Sequence, residues 1–253
     1  MTVSFSLEGK TALITGASRG IGEAVAHTLA ENGAHCILVS RKAEALETVA
    51  QAIREKGGKA DVMPCHMGDL GQIQALFQEV EKRFGKLDIL VNNAATNPFF
   101  GAMADADEGV WNKTFEVNLK GPFFMCKYAS KLMQKGGGGA IVNVSSINGV
   151  RPALFQGIYS ITKAALISMT RAFANELGQY NIRVNALCPG LTRTKFAQVL
   201  FENEEVKDSL MKDVPLGRHA EPEEMAGTVL YLVSDASSYT TGASVICDGG
   251  FLA

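Results

Sequence analysis

Ala12-Leu13-Ile14-Thr15-Gly16-Ala17-Ser18-Arg19-Gly20-Ile21-Gly22 is the stretch on which the fold turns. Ala12 to Ile14 is a short apolar run that reads as a buried strand. From Ile21 to Leu29 apolar residues recur at helical spacing, up to the stop signal Asn32-Gly33. Strand, glycine turn and helix in that order form the context of a dinucleotide-binding turn. Gly16 suits the tight turn, Gly20 a close approach of backbone to a pyrophosphate, and Gly22 close helix–sheet packing. The diphosphate would then sit over the helix N-terminus. The spacing is G-x-x-x-G-x-G, not G-x-G-x-x-G, and the same glycines also fit an ordinary strand-to-helix turn.

Working outward, strand-like and helix-like segments alternate. Strands are expected at Cys36–Val39, Ala60–Cys65, Leu87–Val91, Ala140–Val144, Ile182–Leu187 and Ser244–Cys247. Helices are expected at Ala43–Glu55, Asp69–Phe84, Glu108–Lys135, Tyr159–Leu177 and Glu221–Ser234. Continuous apolar strands between amphipathic helices imply a mostly parallel sheet of about seven strands, covered on both faces. With no repeat, low-complexity tract or linker, residues 1–253 read as one doubly wound α/β domain. Ligands of such sheets bind outside the carboxyl ends of the strands. Gly16, Asn92, Ser146 and Pro189 all stand just past such ends.

Composition narrows the partners. A net charge of −2 without a basic stripe argues against nucleic acid and anionic membranes. The five cysteines are dispersed, without C-x-x-C or Cys/His clustering, so a reducing cytoplasm and no metal are expected. Met1–Lys10 lacks an apolar leader core, and no stretch reaches membrane-span length.

Tyr159 and Lys163 stand at i and i+4, on one helix face about a turn apart. A phenol exchanges protons poorly at neutral pH; a neighbouring ammonium favours the phenolate and is expected to lower its pKa. Ser145 and Ser146 lie fourteen and thirteen residues upstream of Tyr159. Either could supply a hydroxyl, and neighbouring residues at the end of a strand face opposite ways.

These features together resemble the short-chain dehydrogenase/reductase family. The resemblance rests on Thr15-Gly-x-x-x-Gly-x-Gly22, Asn92-Asn93-Ala94-Ala95, Asn118, Ser146, Tyr159-x-x-x-Lys163, Pro189-Gly190 with Thr194, and Asp248-Gly249-Gly250. It implies a Rossmann-type NAD(P)-dependent oxidoreductase, assembled as a homotetramer. Carried over residue by residue, Tyr159 is the acid or base at the carbonyl or hydroxyl oxygen, and Ser146, at the family's spacing, orients that oxygen. Lys163 holds ribose hydroxyls and tunes the phenol, and Asn118 helps hold a proton-relay water. Cofactor contacts are implied for Gly16, Ser18, Arg19, Gly20, Ile21, Gly22, Arg41, Asn92, Ala94, Tyr159, Lys163, Pro189, Gly190, Thr192 and Thr194.

The second strand ends Val39-Ser40-Arg41-Lys42, where an NAD enzyme would carry an acid. Arg41 and Arg19 favour a 2′-phosphate, hence NADP(H). A departure from many relatives is His66, in place of an aspartate near the adenine; it either packs within its loop or touches the base. Phe99, Phe155, Phe196 and Phe201 suggest apolar walls for a small-molecule ketone or aldehyde, and residues 194–217 a lid over the site. The expected activity is NADPH-dependent carbonyl reduction, reversible as alcohol oxidation, with a likeness to carbonyl and tropinone-type reductases. A 3-oxoacyl-carrier-protein reductase is an alternative, weakened by Gly137 and Tyr180 where such relatives carry docking arginines. A non-catalytic NADP-binding protein is the third reading.

Overall fold

The strands are built from apolar runs whose side chains alternate between two cores. A computed structural model of the protein describes residues 3–197 and 211–253. Its strands are β1 (Thr11–Thr15), β2 (His35–Val39), β3 (Lys59–Val62), β4 (Ile89–Asn92), β5 (Gly139–Val144), β6 (Ile182–Pro189) and β7 (Ser244–Cys247). They form one sheet in the order β3-β2-β1-β4-β5-β6-β7, and every pairing is parallel. The expected seven-stranded, doubly wound α/β architecture is the one observed.

Among the described residues the helices are α1 (Ile21–Glu31), α2 (Ala43–Glu55), α3 (Leu70–Phe84), α4 (Glu108–Phe115), α5 (Gly121–Lys135), α6 (Gly157–Leu177) and α7 (Pro222–Val233). The period of two along each strand sorts them into layers. Ala12, Ile14, Leu38, Ile89 and Val91 point to one face and pack with Val25 and Leu29 of α1, Leu46 and Ile53 of α2, and Val229 of α7. Leu13, Ile37, Leu90 and Ile141 point to the other, against Ile73 and Val80 of α3, Met125 of α5 and Leu177 of α6. The strand order reverses between β1 and β4, which opens a crevice at their carboxyl ends.

Local chemistry sets the helix ends. Asp69 caps α3 by accepting from Gln72 N at 3.0 Å, and Asp107 caps α4 from Val110 N at 2.7 Å. Glu221 and Glu224 form a reciprocal capping box at the start of α7. The expected third strand is shorter than its apolar run, yet Met63 N still reaches Leu38 O at 3.0 Å and Cys65 N reaches Ser40 O at 2.9 Å. The expected lid at 194–217 falls mostly on residues 198–210, which lie outside the described residues, as do Phe201, Glu202, Glu204 and Glu205.

One departure from the sequence reading is structural. The helical run from Glu108 to Lys135 is interrupted by a π-turn at Glu116–Lys120, which carries Asn118. Such turns insert one extra residue and re-aim the side chains around it. Asn118 is 1 % exposed and latches the chain after β4: its Oδ1 accepts from Thr96 N at 2.8 Å while its Nδ2 donates to Thr96 O at 2.8 Å. A further bond runs from Nδ2 to Thr162 Oγ1 on α6 at 3.3 Å. Asn118→Ala would leave both polar groups of Thr96 without this partner, and we expect a loss of about 1–3 kcal/mol in urea unfolding. An unchanged midpoint and slope would show that the latch is idle.

Candidate active site

The crevice floor begins at the glycine turn. Gly16 has φ +67°, and a Cβ there would lie 2.7 Å from Asn93 Nδ2. A Cβ on Gly22 would lie 2.4 Å from Gly16 O, so α1 can start this close to β1 only without a side chain. Thr15 ties the turn to β4: its hydroxyl donates to Val91 O at 3.3 Å and accepts from Asn93 N at 2.9 Å and Ala94 N at 3.0 Å. Helix α1 opens on Gly20 with no side-chain cap, so its first amides face the crevice without a side-chain acceptor. Thr194 overhangs the turn, its Cγ2 placed 3.1 Å from where a Gly20 Cβ would be. Ser18 and Ile21 are half-buried beside it, and Arg19 is exposed.

Arg41, just past β2, is exposed as well. Among the described residues neither Arg19 nor Arg41 forms an ion pair with a carboxylate. The turn is thus a backbone cradle that side chains would fill, flanked by two uncompensated guanidiniums; these residues fit a dinucleotide diphosphate and an added phosphate.

At the end of β4 one expectation is refined. Asn92 is 3 % exposed, and its Nδ2 donates inward to Asn143 Oδ1 at 2.9 Å and to Cys126 Sγ at 3.3 Å. Its side chain therefore braces the core under the crevice, while Asn93 and Ala94 line the edge through their backbone. Beyond β6, Gly190 backs directly on Asp248, whose carboxylate accepts from Gly250 N and Leu252 N at 2.9 Å each. Thr192 is buried and donates to Gly190 O at 3.2 Å.

Ser146, Tyr159 and Lys163 meet between the end of β5 and the first two turns of α6. Lys163 is 2 % exposed, and its Nζ donates to Val144 O at 2.8 Å and sits 5.4 Å from the Tyr159 ring centre. Ser145 turns away from the crevice, as strand parity requires, and donates to Lys163 O at 2.8 Å. Ser146 lies near enough to the Tyr159 hydroxyl to favour the phenolate, and its own hydroxyl accepts from Asn148 N at 3.1 Å. Of the two serines, Ser145 is thus engaged with the Lys163 carbonyl, and Ser146 is the one beside the phenol.

The titration expectation for the phenol is corrected. Burial holds the Tyr159 pKa well above the ordinary phenol value, and the Ser146 contact only partly opposes it. The same dryness lowers Lys163 from 10.5 to about 8, with a smaller opposing effect of Cys188. Desolvation outweighs the proximity of the two groups and favours the neutral form of both.

Several contributors were missed. Gly149 lets the turn after Ser146 press on α6, because a Cβ there would lie 2.7 Å from the Lys163 carbonyl carbon. Asn143, fully buried, relays from Asn92 to Thr170 Oγ1 at 2.9 Å. Only the sheet order β1-β4-β5 brings these groups together. His66 packs within its loop, where its Nδ1 accepts from Gly68 N at 3.0 Å. Phe196 lies over the catalytic-site candidate Tyr159, with ring centres 5.8 Å apart.

Comparison with known proteins agrees with this geometry. The family profile described as Enoyl-(Acyl carrier protein) reductase matches residues 16–252. The chain is 40% identical over 250 residues to Dehydrogenase/reductase SDR family member 4 of Homo sapiens, covering 99% of this chain and 90% of that protein. Among solved structures, a gluconate 5-dehydrogenase from Burkholderia cenocepacia J2315 in complex with NADP and tartrate superposes with a TM-score of 0.95 at 32% identity, over 99% of this chain and 98% of that one. A 3-oxoacyl (acyl-carrier-protein) reductase from Agrobacterium tumefaciens C58 with NADP bound gives 0.91 at 33%, over 97% and 95%. A match this complete, in sequence and in fold, means that the chain belongs to the short-chain dehydrogenase/reductase family, oxidoreductases acting on CH–OH and C=O groups.

Proposed function

We propose that the protein reduces a ketone or aldehyde with NADPH, and oxidises the corresponding alcohol in reverse. The observation that carries this reading is the convergence of a buried phenol, the Ser146 hydroxyl and a buried amine beside the glycine cradle. Bound NADPH supplies the hydride. Gly16, Ser18, Gly20, Ile21 and Gly22 hold its diphosphate, Arg19 and Arg41 its 2′-phosphate, and Ala94, Pro189, Gly190, Thr192 and Thr194 line the remainder of the cleft, with Asn92 bracing it from below. Lys163 holds ribose hydroxyls. Ser146 donates to the substrate carbonyl oxygen, and Tyr159, neutral at physiological pH, protonates that oxygen as negative charge develops on it. Asn118 acts through the latch on Thr96 and through Thr162, behind Lys163.

NADP is supported by the two free guanidiniums; each charge-assisted contact contributes roughly 1.5–3 kcal/mol, so the pair shifts preference by about a hundredfold or more. Relatives named for different substrates share this fold, so the substrate class rests on the rim: Phe100, Leu154, Phe155 and Phe196 are large, apolar and exposed. They suit a lipophilic ketone or aldehyde. We read residues 1–253 as one catalytic domain in a reducing cytoplasm, in keeping with cysteines that are all unpaired. No helix among the described residues is long and apolar enough to cross a membrane.

We further propose that copies assemble through α4 and α5, as in a homotetramer. Trp111 stacks on Phe115 at 4.2 Å and is exposed, as is Phe123, beside a groove of about 640 Å³ that also includes Leu119 and Met169. Leu166 of α6 is 1 % exposed and belongs to the interior.

Three outcomes are expected. First, a screen of lipophilic carbonyls, sugar acids and acyl-carrier thioesters, followed by absorbance of reduced cofactor, should give turnover with a lipophilic carbonyl and NADPH. Tyr159→Phe should abolish it while NADPH still binds; undiminished turnover, or NADH performing as well, overturns the assignment. Second, Lys163 is an ammonium below about 8 and neutral above it. The reductive kcat/KM should therefore fall as pH rises through that value, and a profile flat from pH 6 to 10 would contradict it. Third, light scattering should return a tetramer, which Phe123→Glu dissociates; a monomeric wild type refutes the interface.

A further inference from the structure

The junction before Tyr159 is held more firmly than a helix start requires. Phe155 has φ +62°, a conformation that a bulky aromatic adopts only where its surroundings over-determine it. Its carbonyl accepts from Gly101 N at 3.0 Å, and its ring meets Phe100 with centres 5.9 Å apart. Met103 packs so tightly on Gly157 that a Cβ there would lie 2.2 Å from its sulfur. The loop after β4 is thereby clasped to the start of α6 by backbone, ring and thioether contacts.

Gln156 stands at the centre of this clasp. Its Oε1 accepts from Asn97 Nδ2, in the loop after β4, at 3.2 Å, and from Asn148 Nδ2, in the loop after β5, at 3.4 Å. Its backbone carbonyl accepts from both Ser160 N at 2.9 Å and Ser160 Oγ at 2.8 Å, within the turn that carries Tyr159. Asn148 is also the residue whose N–H binds the Ser146 hydroxyl. One side-chain carbonyl thus joins the β4 loop, the Ser146 turn and the Tyr159 helix.

We propose that Gln156 is a positioning residue for proton transfer: its side-chain oxygen holds these three segments together and so sets Tyr159 against Ser146. It acts through those two residues and not on the reacting atoms. The inference rests on the reading of Tyr159 and Ser146 given above. Misplacement of a reacting group by about 1 Å lowers rates as much as a hundredfold, so loss of the shared acceptor should appear in kcat and not in cofactor affinity.

The experiment compares Gln156→Met, which keeps length and loses the acceptor, with Gln156→Glu, which keeps it. Gln156→Met should lower kcat about tenfold or more, with NADPH Kd and binding stoichiometry unchanged and a larger solvent deuterium isotope effect. Gln156→Glu should stay within about threefold of wild type in kcat, and crystal structures should keep the Ser146–Tyr159 contact only in that variant. Full kcat in Gln156→Met, equal impairment of both variants, or an unchanged isotope effect would overturn the proposal. If Gln156→Met does not fold, the pair Asn97→Ala and Asn148→Ala removes the donors instead and carries the same expectations. A wild type without turnover would defeat the proposed function, and the two crystal structures would then decide the positioning role on their own.

Discussion

A lysine ammonium pressed into the seam between β5 and α6 is the constraint around which the rest is arranged. Taking such a charge out of water costs several kcal/mol, on the order of what a small domain has to spare. The hydrogen bond to Val144 O returns about 1.5–3 kcal/mol of that. Burial draws the Lys163 pKa down to about 8. Packing alone would select a leucine here. The surrounding seam is built to hold this amine: Ser145 grips the Lys163 carbonyl, and Gly149 lets the following turn close over α6.

The same dryness governs Tyr159. Placing an amine a turn away from a phenol suggests that the phenol ionises more readily, and in water that would hold. Inside the seam both groups are driven toward neutrality, the phenol upward and the amine downward. A protonated phenol aimed with Ser146 at one point is an acid suited to an oxygen that gains negative charge. In the proposed reaction, reduction of the carbonyl creates that oxygen, and the reverse reaction returns the proton to the same group.

Legibility in the sequence followed the range of the interactions. Strands buried on both faces are continuous apolar runs, so all seven were visible, as was the glycine turn that starts α1. Parity along β5 placed Ser145 and Ser146 on opposite sides without saying which one faces Tyr159. The π-turn at Asn118 was not visible, because one inserted residue hardly disturbs an apolar pattern over twenty-eight positions. Nor were the links Thr15–Asn93 and Asn92–Asn143–Thr170, which exist only because β4 lies between β1 and β5. An asparagine on the neighbouring strand but far along the chain leaves no local periodicity. That the Asn92 amide serves the core is accordingly not visible from its place at a strand end.

Substrate choice obeys a different logic from the floor of the site. Proteins named for a gluconate and for an acyl-carrier thioester superpose on this chain with TM-scores of 0.95 and 0.91, so the sheet and its catalytic seam do not distinguish such substrates. Discrimination has to come from loops that the sheet only anchors. In this chain those loops are not free ends. The clasp at Phe155 and Gln156 couples the β4 loop directly to the helix bearing Tyr159. On the reading proposed above, a loop change that enlarged the apolar rim is expected to reach the phenol through this junction, so that selectivity and rate would change together there.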